Sequence, residues 1–280
     1  MKNLGYYNGK YDLIENMTVP MNDRACYFGD GIFEVAYSRN YKIYSLDEHM
    51  DRLYDSADIL GLNIPITKAE FSALLYELSA KVDSDEQHIY WQVSRGTEFR
   101  NHAPDKSLKA NIWVMIRPMK IKDIYTPMKL ITLDDTRFLH CNMKTLNLIP
   151  TVLASERAVA AGADEAVFHR SGRVTECAHS NVSIRKDGVF RTAPTDNLIL
   201  PGIARANLIR FCGDLGIPVD ETPFTLDELM DADEIIVSSS GSFCIAVDEI
   251  DGKPVGGKAP ALLRSIQDAA VRDFEAATKA

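Results

Sequence analysis

The chain has 280 residues, of which 46% are hydrophobic and 25% are charged, so it can form one large or two modest globular domains with apolar cores. Its net charge of −9 argues against a nucleic-acid partner, which needs clustered cations, and against an anionic membrane surface. The five cysteines are widely spaced and include no CxxC pair, so the sequence predicts neither a disulfide framework nor a metal site. Since no apolar run has the length of a signal peptide or a transmembrane helix, we expect a cytoplasmic protein.

The first part of the chain predicts strands and two amphipathic helices. A strand pair is expected around residues 29–31, with residues 32–38 as its β-rich second member. Two capping-box spacings each indicate the start of a helix, because the paired side chains can satisfy free backbone N–H groups. The pairs are Ser45 with Glu48 and Thr67 with Glu70, and two long strands follow at residues 88–94 and 110–116.

A domain boundary is expected near residue 120, where the polar segment 117–122 contains a proline. The predicted domains are residues 1–119, the smaller, and residues 120–280, the larger. Strands and helices alternate irregularly in both, which is typical of a mixed α/β (α+β) fold. The second domain is predicted to contain a strand at 128–133, a helix from Pro150 to Gly162, hairpins at 171–172 and 187–188, a helix from Ile203, a strand at 234–237 and a C-terminal helix.

Lys144 is the first candidate for chemistry, because it lies between apolar stretches. Burial of an unpaired ammonium is costly, so a buried lysine tends to be neutral or covalently used. A desolvated lysine amine attacks carbonyl carbons and can hold an aldehyde cofactor as a Schiff base. On pattern alone, an exposed lysine in a loop is the more ordinary interpretation.

Glu176 follows the predicted hairpin turn at 171–172 and stands among small residues. A carboxylate in this position could face a protonated pyridine nitrogen and keep it charged, which makes the ring an electron sink for a carbanion. A strand glutamate that faces water is the alternative.

Three features could bind a phosphate group. Residues 200–204 lead directly into a helix, whose first N–H groups and dipole attract anions. The segment 238–241 ends a strand with several hydroxyl donors and a glycine. Arg52 shares a helix face with His49 and could bind phosphate through two N–H groups, although a surface arginine is the alternative.

Arg100 and His102 lie two residues apart in the polar loop that follows Arg95. Such an R-x-H pair offers three or more N–H donors, which suits a carboxylate. A solvated basic loop is the alternative.

These features occur in an order that resembles fold-type IV pyridoxal-phosphate (PLP) enzymes, also called class IV aminotransferases. The resemblance covers essentially the full chain, and chance does not explain five blocks in the family's order. The blocks are residues 28–34 (FGDGIFE), 48–53 (EHMDRL), 144–147 (KTLN), 175–181 (TECAHSN) and 200–205 (LPGIAR).

The resemblance implies PLP as the cofactor, an active site between two mixed α/β domains, and a homodimer as the working unit. Lys144 would form the internal aldimine and move the proton between the substrate α-carbon and C4′ of the cofactor. Glu176 would pair with the pyridine nitrogen, and Leu200 would support one face of the ring. The phosphate would be held by Arg52, by the backbone N–H groups of Ile203 and Ala204, and by the hydroxyls of Ser239 and Ser240.

Within the family, the chain is most similar to bacterial D-amino-acid aminotransferases, in residues 48–54 and 88–97 and above all in the R-x-H loop. In that group, Arg100 and His102 would reach in from the other subunit and bind the substrate carboxylate. The resemblance then implies ping-pong transamination of D-amino acids such as D-alanine, with 2-oxoglutarate or pyruvate as the acceptor.

Phe33 departs from the pattern of that group, because some members have at this position a tyrosine that contacts the substrate carboxylate. The missing hydroxyl removes one hydrogen-bond donor, which is about 0.5–1.5 kcal/mol for a neutral bond. Tyr37 and Arg39, further along the same strand, are candidates to compensate.

Three alternatives remain open. A 4-amino-4-deoxychorismate lyase uses the same cofactor site, but the R-x-H loop disfavours this function. Branched-chain L-aminotransferases usually carry a tyrosine shortly after the lysine, whereas this chain has Leu148 in that stretch. A non-catalytic PLP-binding protein is disfavoured because both Lys144 and Glu176 are retained.

Overall fold

The computed structural model describes residues 1–280 as two compact units. No helix is both long and apolar enough to cross a membrane. All five cysteine thiols are free. The first unit contains Met1–Ile121, Met143–Asn147 and Glu275–Ala280, and the second contains Lys122–Asn142 and Leu148–Phe274.

The first unit is built on six strands, which are β1 (Leu4–Tyr7), β2 (Lys10–Asp12), β3 (Gly31–Arg39), β4 (Lys42–Ile43), β5 (Glu86–Ser94) and β6 (Asn111–Pro118). They form one antiparallel sheet in the order β2-β1-β6-β5-β3-β4. Its helices are α1 (Arg24–Phe28), α2 (Leu46–Leu60), α3 (Lys68–Ser79) and a short 3-10 helix, Ile14–Asn16.

The core of this unit follows from alternation along β3. Ile32 and Ala36 are fully buried, whereas Phe33 between them is only partly buried, because neighbouring strand residues point to opposite faces of a sheet. The buried face packs against α2 and α3, which contribute fully buried Phe71 and Leu75. Each such side chain stabilises the fold by about 1.5–3 kcal/mol.

The predicted strand before residue 29 is wrong, because this segment forms the short helix α1. The Asp23 side chain accepts a hydrogen bond from the Ala25 N–H and caps the start of the helix. Gly29 ends it with a left-handed φ of 60°, a conformation that glycine adopts without steric cost.

Only one of the two predicted capping boxes forms. Thr67 and Glu70 bond each other's backbone N–H groups at the start of α3, as predicted. Ser45 makes no side-chain capping bond, because its own backbone is left-handed, with φ of 52°. The helix α2 nevertheless begins after Ser45 and ends at Gly61, as the apolar spacing predicts.

The second unit contains β7 (Met128–Asp134), β8 (Glu165–Arg170), β9 (Arg173–Cys177), β10 (Asn181–Lys186), β11 (Val189–Thr192), β12 (Val219–Asp220), β13 (Glu234–Ser238), β14 (Ile245–Ile250) and β15 (Lys253–Pro254). Eight of these strands form a mixed sheet in the order β12-β11-β10-β13-β14-β7-β8-β9, and β15 pairs with β14. The helices are α4 (Ile149–Ala160), α5 (Ile203–Asp214), α6 (Leu226–Asp231) and α7 (Pro260–Ala277).

Both predicted hairpins of this unit are confirmed. They join β8 to β9 and β10 to β11. The turn residues Ser171 and Gly172 have φ of 49° and 84°, and Asp187 and Gly188 have φ of 49° and 85°. A two-residue turn with positive φ at both positions matches the twist of the flanking strands.

The segment that contains Lys144 belongs to the first unit, although the sequence places it in the second domain. The reason is a set of main-chain contacts with β3, which include an isolated bridge between Ile32 and Thr145. A boundary drawn along the sequence cannot reproduce a segment that returns to an earlier sheet.

Candidate active site

Lys144 is held against the start of β3 by main-chain hydrogen bonds. The Phe33 N–H donates to the Lys144 carbonyl oxygen at 2.9 Å, and the Leu146 N–H donates to the Gly31 carbonyl oxygen at 3.1 Å. The half-buried Lys144 side chain places Nζ 4.5 Å from the centre of the Phe33 ring. The strand therefore fixes the backbone that carries the amine.

Glu34, on the opposite face of β3, lies at the centre of a buried ion cluster. Its Oε1 accepts from Arg52 Nε at 2.7 Å, its Oε2 accepts from Arg52 Nη2 at 2.7 Å, and His49 Nδ1 lies 2.7 Å from the same Oε2. Burial alone would raise the pKa of Glu34, but Arg52 and His49 outweigh it and lower this pKa to about 2. Two parallel N–H···O bonds fix the plane of the Arg52 guanidinium.

Burial lowers the pKa of His49, against the opposing effect of Glu34. The imidazole is therefore neutral near pH 7, and its Nδ1–H donates to the Glu34 carboxylate. Arg52 then carries the positive charge of the cluster, balanced by a carboxylate that is itself fully buried.

The two predicted clamp residues lie together on one aromatic ring. The guanidinium carbon of Arg100 is 5.0 Å from the centre of the Phe28 ring, and the centre of the His102 ring is 5.1 Å from it. Both side chains are exposed, and Phe99 beside them is 91% exposed.

A cavity of about 240 Å³ in the first unit adjoins this loop. Its lining includes Arg24 and His102 as well as Thr145 and Asn147, which follow Lys144 in the chain. The R-x-H loop and the segment of the lysine therefore border the same cavity.

Phe33 faces aromatic and amide groups of β5. Its ring stacks on Tyr90, with centres 5.5 Å apart and an angle of 25° between the planes. The Tyr90 hydroxyl donates to Gln92 Oε1 at 2.7 Å. The phenol that stacks on Phe33 thus belongs to a different strand.

The two candidates to compensate for that hydroxyl are engaged elsewhere. The Tyr37 hydroxyl lies 3.8 Å from Met119 Sδ. Arg39 forms an ion pair with Glu275 at 3.8 Å. Neither residue is supported as a substitute for the tyrosine.

Glu176, in the second unit, is held by at least three donors. Its Oε2 accepts from Asn181 Nδ2 at 2.9 Å and from the Leu200 N–H at 3.0 Å, and Arg137 Nη1 donates to its Oε1. Arg137 also binds both oxygens of Asp135, at 2.9 and 2.8 Å. Burial would lower the pKa of Arg137, but Asp135 and Glu176 raise it.

The start of α5 offers unpaired main-chain donors. No side chain caps the helix at Gly202, so the first N–H groups, those of Ile203 and Ala204, have no partner within the helix. A Cβ on Gly202 would come within 1.9 Å of Asn181 Oδ1, so only glycine fits this close approach. The Asn181 side chain also donates to the Leu200 carbonyl oxygen at 3.0 Å.

Ser239 and Ser240 follow directly after β13. The Ser239 hydroxyl lies 2.9 Å from the Ser242 hydroxyl, within a turn closed by the Ser242 N–H and the Ser239 carbonyl oxygen at 3.1 Å. Ser238, the last residue of β13, pairs with Asn181 in the sheet. Both segments that the sequence predicts for phosphate binding therefore adjoin Asn181.

Comparisons with known proteins agree on the family of this chain. The family model described as amino-transferase class IV matches residues 31–250. A D-alanine aminotransferase of Listeria monocytogenes serotype 4b (strain F2365) is 42% identical over 246 residues, which cover 86% of this chain and 85% of that protein. A D-alanine aminotransferase of Bacillus licheniformis is 35% identical over 266 residues, which cover 94% of each.

A solved structure extends the similarity to the fold. The branched-chain aminotransferase of the thermophilic archaeon Thermoproteus uzoniensis, crystallised with norvaline, is 25% identical, with a TM-score of 0.87. The match covers 98% of this chain and 94% of that chain.

The fold and these matches define a PLP-dependent enzyme of fold type IV. The chain belongs to the class IV aminotransferases, so transamination with PLP is its chemistry. Each unit supplies groups that fit part of the cofactor: the first unit an amine, and the second a fixed carboxylate, an uncapped helix start at Gly202 and a serine turn.

The site residues predicted from the sequence fall into two groups. Lys144, Arg52, Phe33, Arg100 and His102 lie in the first unit, and Glu176, Leu200, Ile203, Ala204, Ser239 and Ser240 lie in the second. Sequence reasoning missed the partners that hold these residues, which are Glu34, Arg24, Arg137 and Asn181. Asp135 and Arg137 follow the end of β7, so no strand alternation gives a local signal for their pairing.

Proposed function

We propose that this enzyme transaminates D-amino acids of the D-alanine type, with a 2-oxo acid such as 2-oxoglutarate or pyruvate as the acceptor, in a ping-pong reaction. The observation that carries the proposal is that Arg100 and His102 both contact the Phe28 ring. This contact brings together two side chains that can donate hydrogen bonds to a substrate carboxylate. The relatives named D-alanine aminotransferase, at 35–42% identity, support the same substrate class.

We propose that the cofactor phosphate binds Arg52, the N–H groups of Ile203 and Ala204, and the hydroxyls of Ser239 and Ser240. A guanidinium held rigidly by a buried carboxylate and the free donors at a helix start are both suited to a phosphate dianion. Leu200 would pack on the ring, and Glu176 would accept from the pyridine N–H. Its three donors fix the Glu176 carboxylate before the cofactor binds.

When bound, PLP supplies an electrophilic carbon and a ring that accepts the negative charge from the substrate α-carbon. The Lys144 amine is proposed to bond the aldehyde carbon in the resting enzyme. Lys144 would be the general base that takes the proton from the substrate α-carbon and moves it to C4′ of the cofactor. The main-chain bonds to β3 hold the backbone from which this side chain extends.

The substrate carboxylate is proposed to bind Arg100 and His102 and to face Phe33. Phe33 gives no hydrogen bond, so the two loop residues supply most of the carboxylate affinity. Anchoring of the carboxylate fixes which bond of the α-carbon meets the base, and this selects one enantiomer.

We further propose a homodimer that works in the cytoplasm, in which the R-x-H loop meets the partner subunit. Phe99 and Met21, 91% and 92% exposed, border this loop and are suited to burial by a second copy. The helix α4 offers a second apolar surface, since Ile149 and Val159 are 70% and 73% exposed.

The test compares D-alanine, L-alanine and L-leucine as donors with 2-oxoglutarate and follows keto-acid formation by the purified enzyme. Turnover confined to D-alanine supports the proposal. Turnover of L-leucine instead keeps the cofactor site but overturns the substrate class, in line with the branched-chain enzyme of similar fold. Absence of turnover with all three donors favours the lyase or the binding protein.

A further inference from the structure

Arg24, in the short helix α1, is a buried arginine without a role in the proposed reaction. It is 3% exposed, and every nitrogen of its guanidinium makes a hydrogen bond. Nε donates to Asp30 Oδ2 at 2.6 Å, and Nη1 donates to Glu98 Oε1 at 2.5 Å. Burial would lower the pKa of Arg24, but Asp30 and Glu98 raise it above its usual value.

The remaining contacts of Arg24 reach the main chain of the R-x-H loop. Nη1 donates to the Asn101 carbonyl oxygen at 2.6 Å, and Nη2 donates to the His102 carbonyl oxygen at 3.2 Å. Together with Glu98, these contacts span five consecutive loop residues, with Arg100 in the middle. No helix or strand covers this loop, so its conformation depends on such contacts.

The helix α1 forms a platform for the same loop. Phe28 follows Arg24 by four residues, and its ring lies 4.7 Å from the Arg24 guanidinium carbon as well as close to Arg100 and His102. The Tyr27 hydroxyl contacts the Glu98 carbonyl oxygen. The five-residue helix therefore binds the loop by charge, by ring stacking and by main-chain hydrogen bonds.

A direct role for Arg24 in substrate binding does not fit these contacts. Its donors already meet two carboxylates and two carbonyl oxygens. A substrate carboxylate would have to displace Asp30 or Glu98 from a buried cation, which costs more than it gains.

We propose that Arg24 is a positioning residue that fixes the conformation of residues 98–102 and thereby sets the affinity for the substrate carboxylate. The inference rests on the proposed function, because it takes Arg100 and His102 as the carboxylate donors. Arg24 acts on them through their main chain and through the Phe28 ring.

The test compares Arg24→Lys with the control Arg95→Lys. Arg95 also binds Asp30, with Nε 3.0 and 2.9 Å from its two oxygens, but its other donors meet Gly61 and Leu60 instead of the loop. A lysine keeps the charge at either position but cannot reach all the acceptors that Arg24 spans. The two variants therefore differ in the support of residues 98–102.

Each enzyme is given D-alanine and, in single-turnover reactions that follow the absorbance of bound PLP, D-alaninol, which lacks the carboxylate. We expect Arg24→Lys to raise KM for D-alanine about tenfold with little change in kcat, and to leave the rate with D-alaninol within about twofold. Arg95→Lys should leave KM for D-alanine unchanged. Equal losses with both substrates, or no loss with D-alanine, overturn the positioning role.

Hydrogen exchange of the main-chain amides at residues 98–105 gives a readout that does not depend on activity. Faster exchange is expected in Arg24→Lys than in Arg95→Lys, with the same PLP dissociation constant in both. Unchanged exchange contradicts the proposal. Should Arg24→Lys fail to fold, Glu98→Gln removes the negative charge of the loop residue that pairs with Arg24 and is expected to give smaller changes in KM and in exchange, in the same direction.

Failure of the proposed function gives a different result. A wild-type enzyme that accepts L-leucine and rejects D-alanine overturns the D-amino-acid assignment. The same pair of variants, tested with L-leucine and L-leucinol, then decides the positioning role independently. If Arg24→Lys loses more activity with L-leucine than with L-leucinol, the positioning role is supported. Equal losses of activity with the two compounds overturn it.

Discussion

Each unit of this protein contains a largely buried arginine that is held by a fully buried carboxylate, and the two clusters differ in whether that arginine also holds a second carboxylate. In the first unit, fully buried Glu34 lies behind Arg52, whose side chain is 8% exposed. In the second unit, fully buried Asp135 lies behind Arg137, and Arg137 in turn holds Glu176, which is 7% exposed. Arg52 is the last member of the first cluster, whereas Arg137 of the second cluster, 11% exposed, links Asp135 to a second carboxylate, Glu176.

The difference shows how a fold can orient a charge of either sign with the same materials. A buried ion is stable only when opposite charges and hydrogen bonds surround it. In the first cluster, a buried carboxylate holds the arginine that is proposed to contact the phosphate. In the second cluster, the arginine in turn holds a further carboxylate, which is proposed to contact the pyridine nitrogen.

The largest effect should come from Lys144, which is proposed to bond the cofactor that both clusters contact. Lys144→Ala removes the only amine assigned to the cofactor, so we expect transamination to fall at least about a thousandfold. The absorption band of lysine-bound PLP should also disappear, as measured by spectroscopy of the purified variant. Lys68→Ala, which removes an exposed lysine paired with Asp51, is the control. An unchanged band in Lys144→Ala would refute the assignment.

Removal of the buried anion tests the first cluster. Glu34→Gln leaves the Arg52 charge without its partner, and loss of one member of a buried pair costs about 3–5 kcal/mol of unfolding free energy. Urea denaturation measures this loss. Glu77→Gln breaks an exposed ion pair with Lys81 and should cost less than about 1 kcal/mol. Equal costs for the two variants would mean that burial does not matter to the cluster.

Removal of the linking arginine tests the second cluster. Arg137→Gln takes a donor from Glu176, and we expect cofactor binding to weaken by about 1.5–3 kcal/mol, the range for a hydrogen bond to a charged group. The control is Arg170→Gln, because Arg170 also binds Asp135 but makes no contact with Glu176 among its hydrogen bonds. PLP titration of the two apoenzymes measures the difference. Equal weakening would assign the effect to Asp135 alone.

Arg100 offers a contrast with both clusters, since it is an exposed cation without an ion pair. Arg100→Ala should cost about 1.5–3 kcal/mol in kcat/KM for D-alanine, through a charge-assisted contact with the carboxylate. Its unfolding free energy should stay within about 0.5 kcal/mol of wild type. Undiminished turnover of D-alanine would remove Arg100 from the carboxylate site.

The smallest predicted effect is on the pH dependence of folding stability, which differs between the two clusters. The folded pKa of His49 is lowered, so the unfolded chain binds a proton first as the pH falls, and stability is lost below about 6.5. Glu34 adds a second loss between its ordinary value of 4.5 and its folded pKa of about 2. The second cluster has no histidine, and its Asp135, whose folded pKa is lowered, begins to lose stability only near 3.8.

His49→Gln tests this assignment. The variant keeps a donor for Glu34, and its stability should fall less than that of wild type between pH 7 and pH 5. His88, whose pKa burial also lowers, contributes a remaining slope of the same sign. Denaturant unfolding at several pH values measures the slopes. Identical slopes for wild type and variant would assign the pH dependence to other groups.

Local rules predict much of the fold. The hairpins depend on two adjacent residues each, and the Thr67 capping box depends on a spacing of three, so the sequence contains all the information needed. The helix α1 escapes such rules because five residues do not make a stable helix alone, and its contacts with residues 98–102 hold it. Local rules also miss the return of Lys144 to β3, because its main-chain contacts join residues that are far apart in the sequence.

The candidate site divides in a similar way. Its motif residues could be named from their resemblance to a family. The groups that hold them could not be named in this way, because Arg52 and its partner Glu34 are 18 residues apart, and Arg137 and its partner Glu176 are 39 residues apart. Pairings of this length are set by the sheet, and no local pattern in the sequence records them.

Asn181 has a consequence for how the proposed cofactor contacts can vary. One amide group donates to Glu176 and to the Leu200 carbonyl, its oxygen lies where a Cβ on Gly202 would stand, and its backbone pairs with the end of β13. The spacing between Glu176, the proposed partner of the pyridine nitrogen, and the two segments proposed to bind the phosphate thus depends on a single residue that need not touch the cofactor. A substitution at Asn181 would therefore change the proposed contacts with the pyridine nitrogen and with the phosphate at the same time. Neither set of contacts can be altered through this residue without the other.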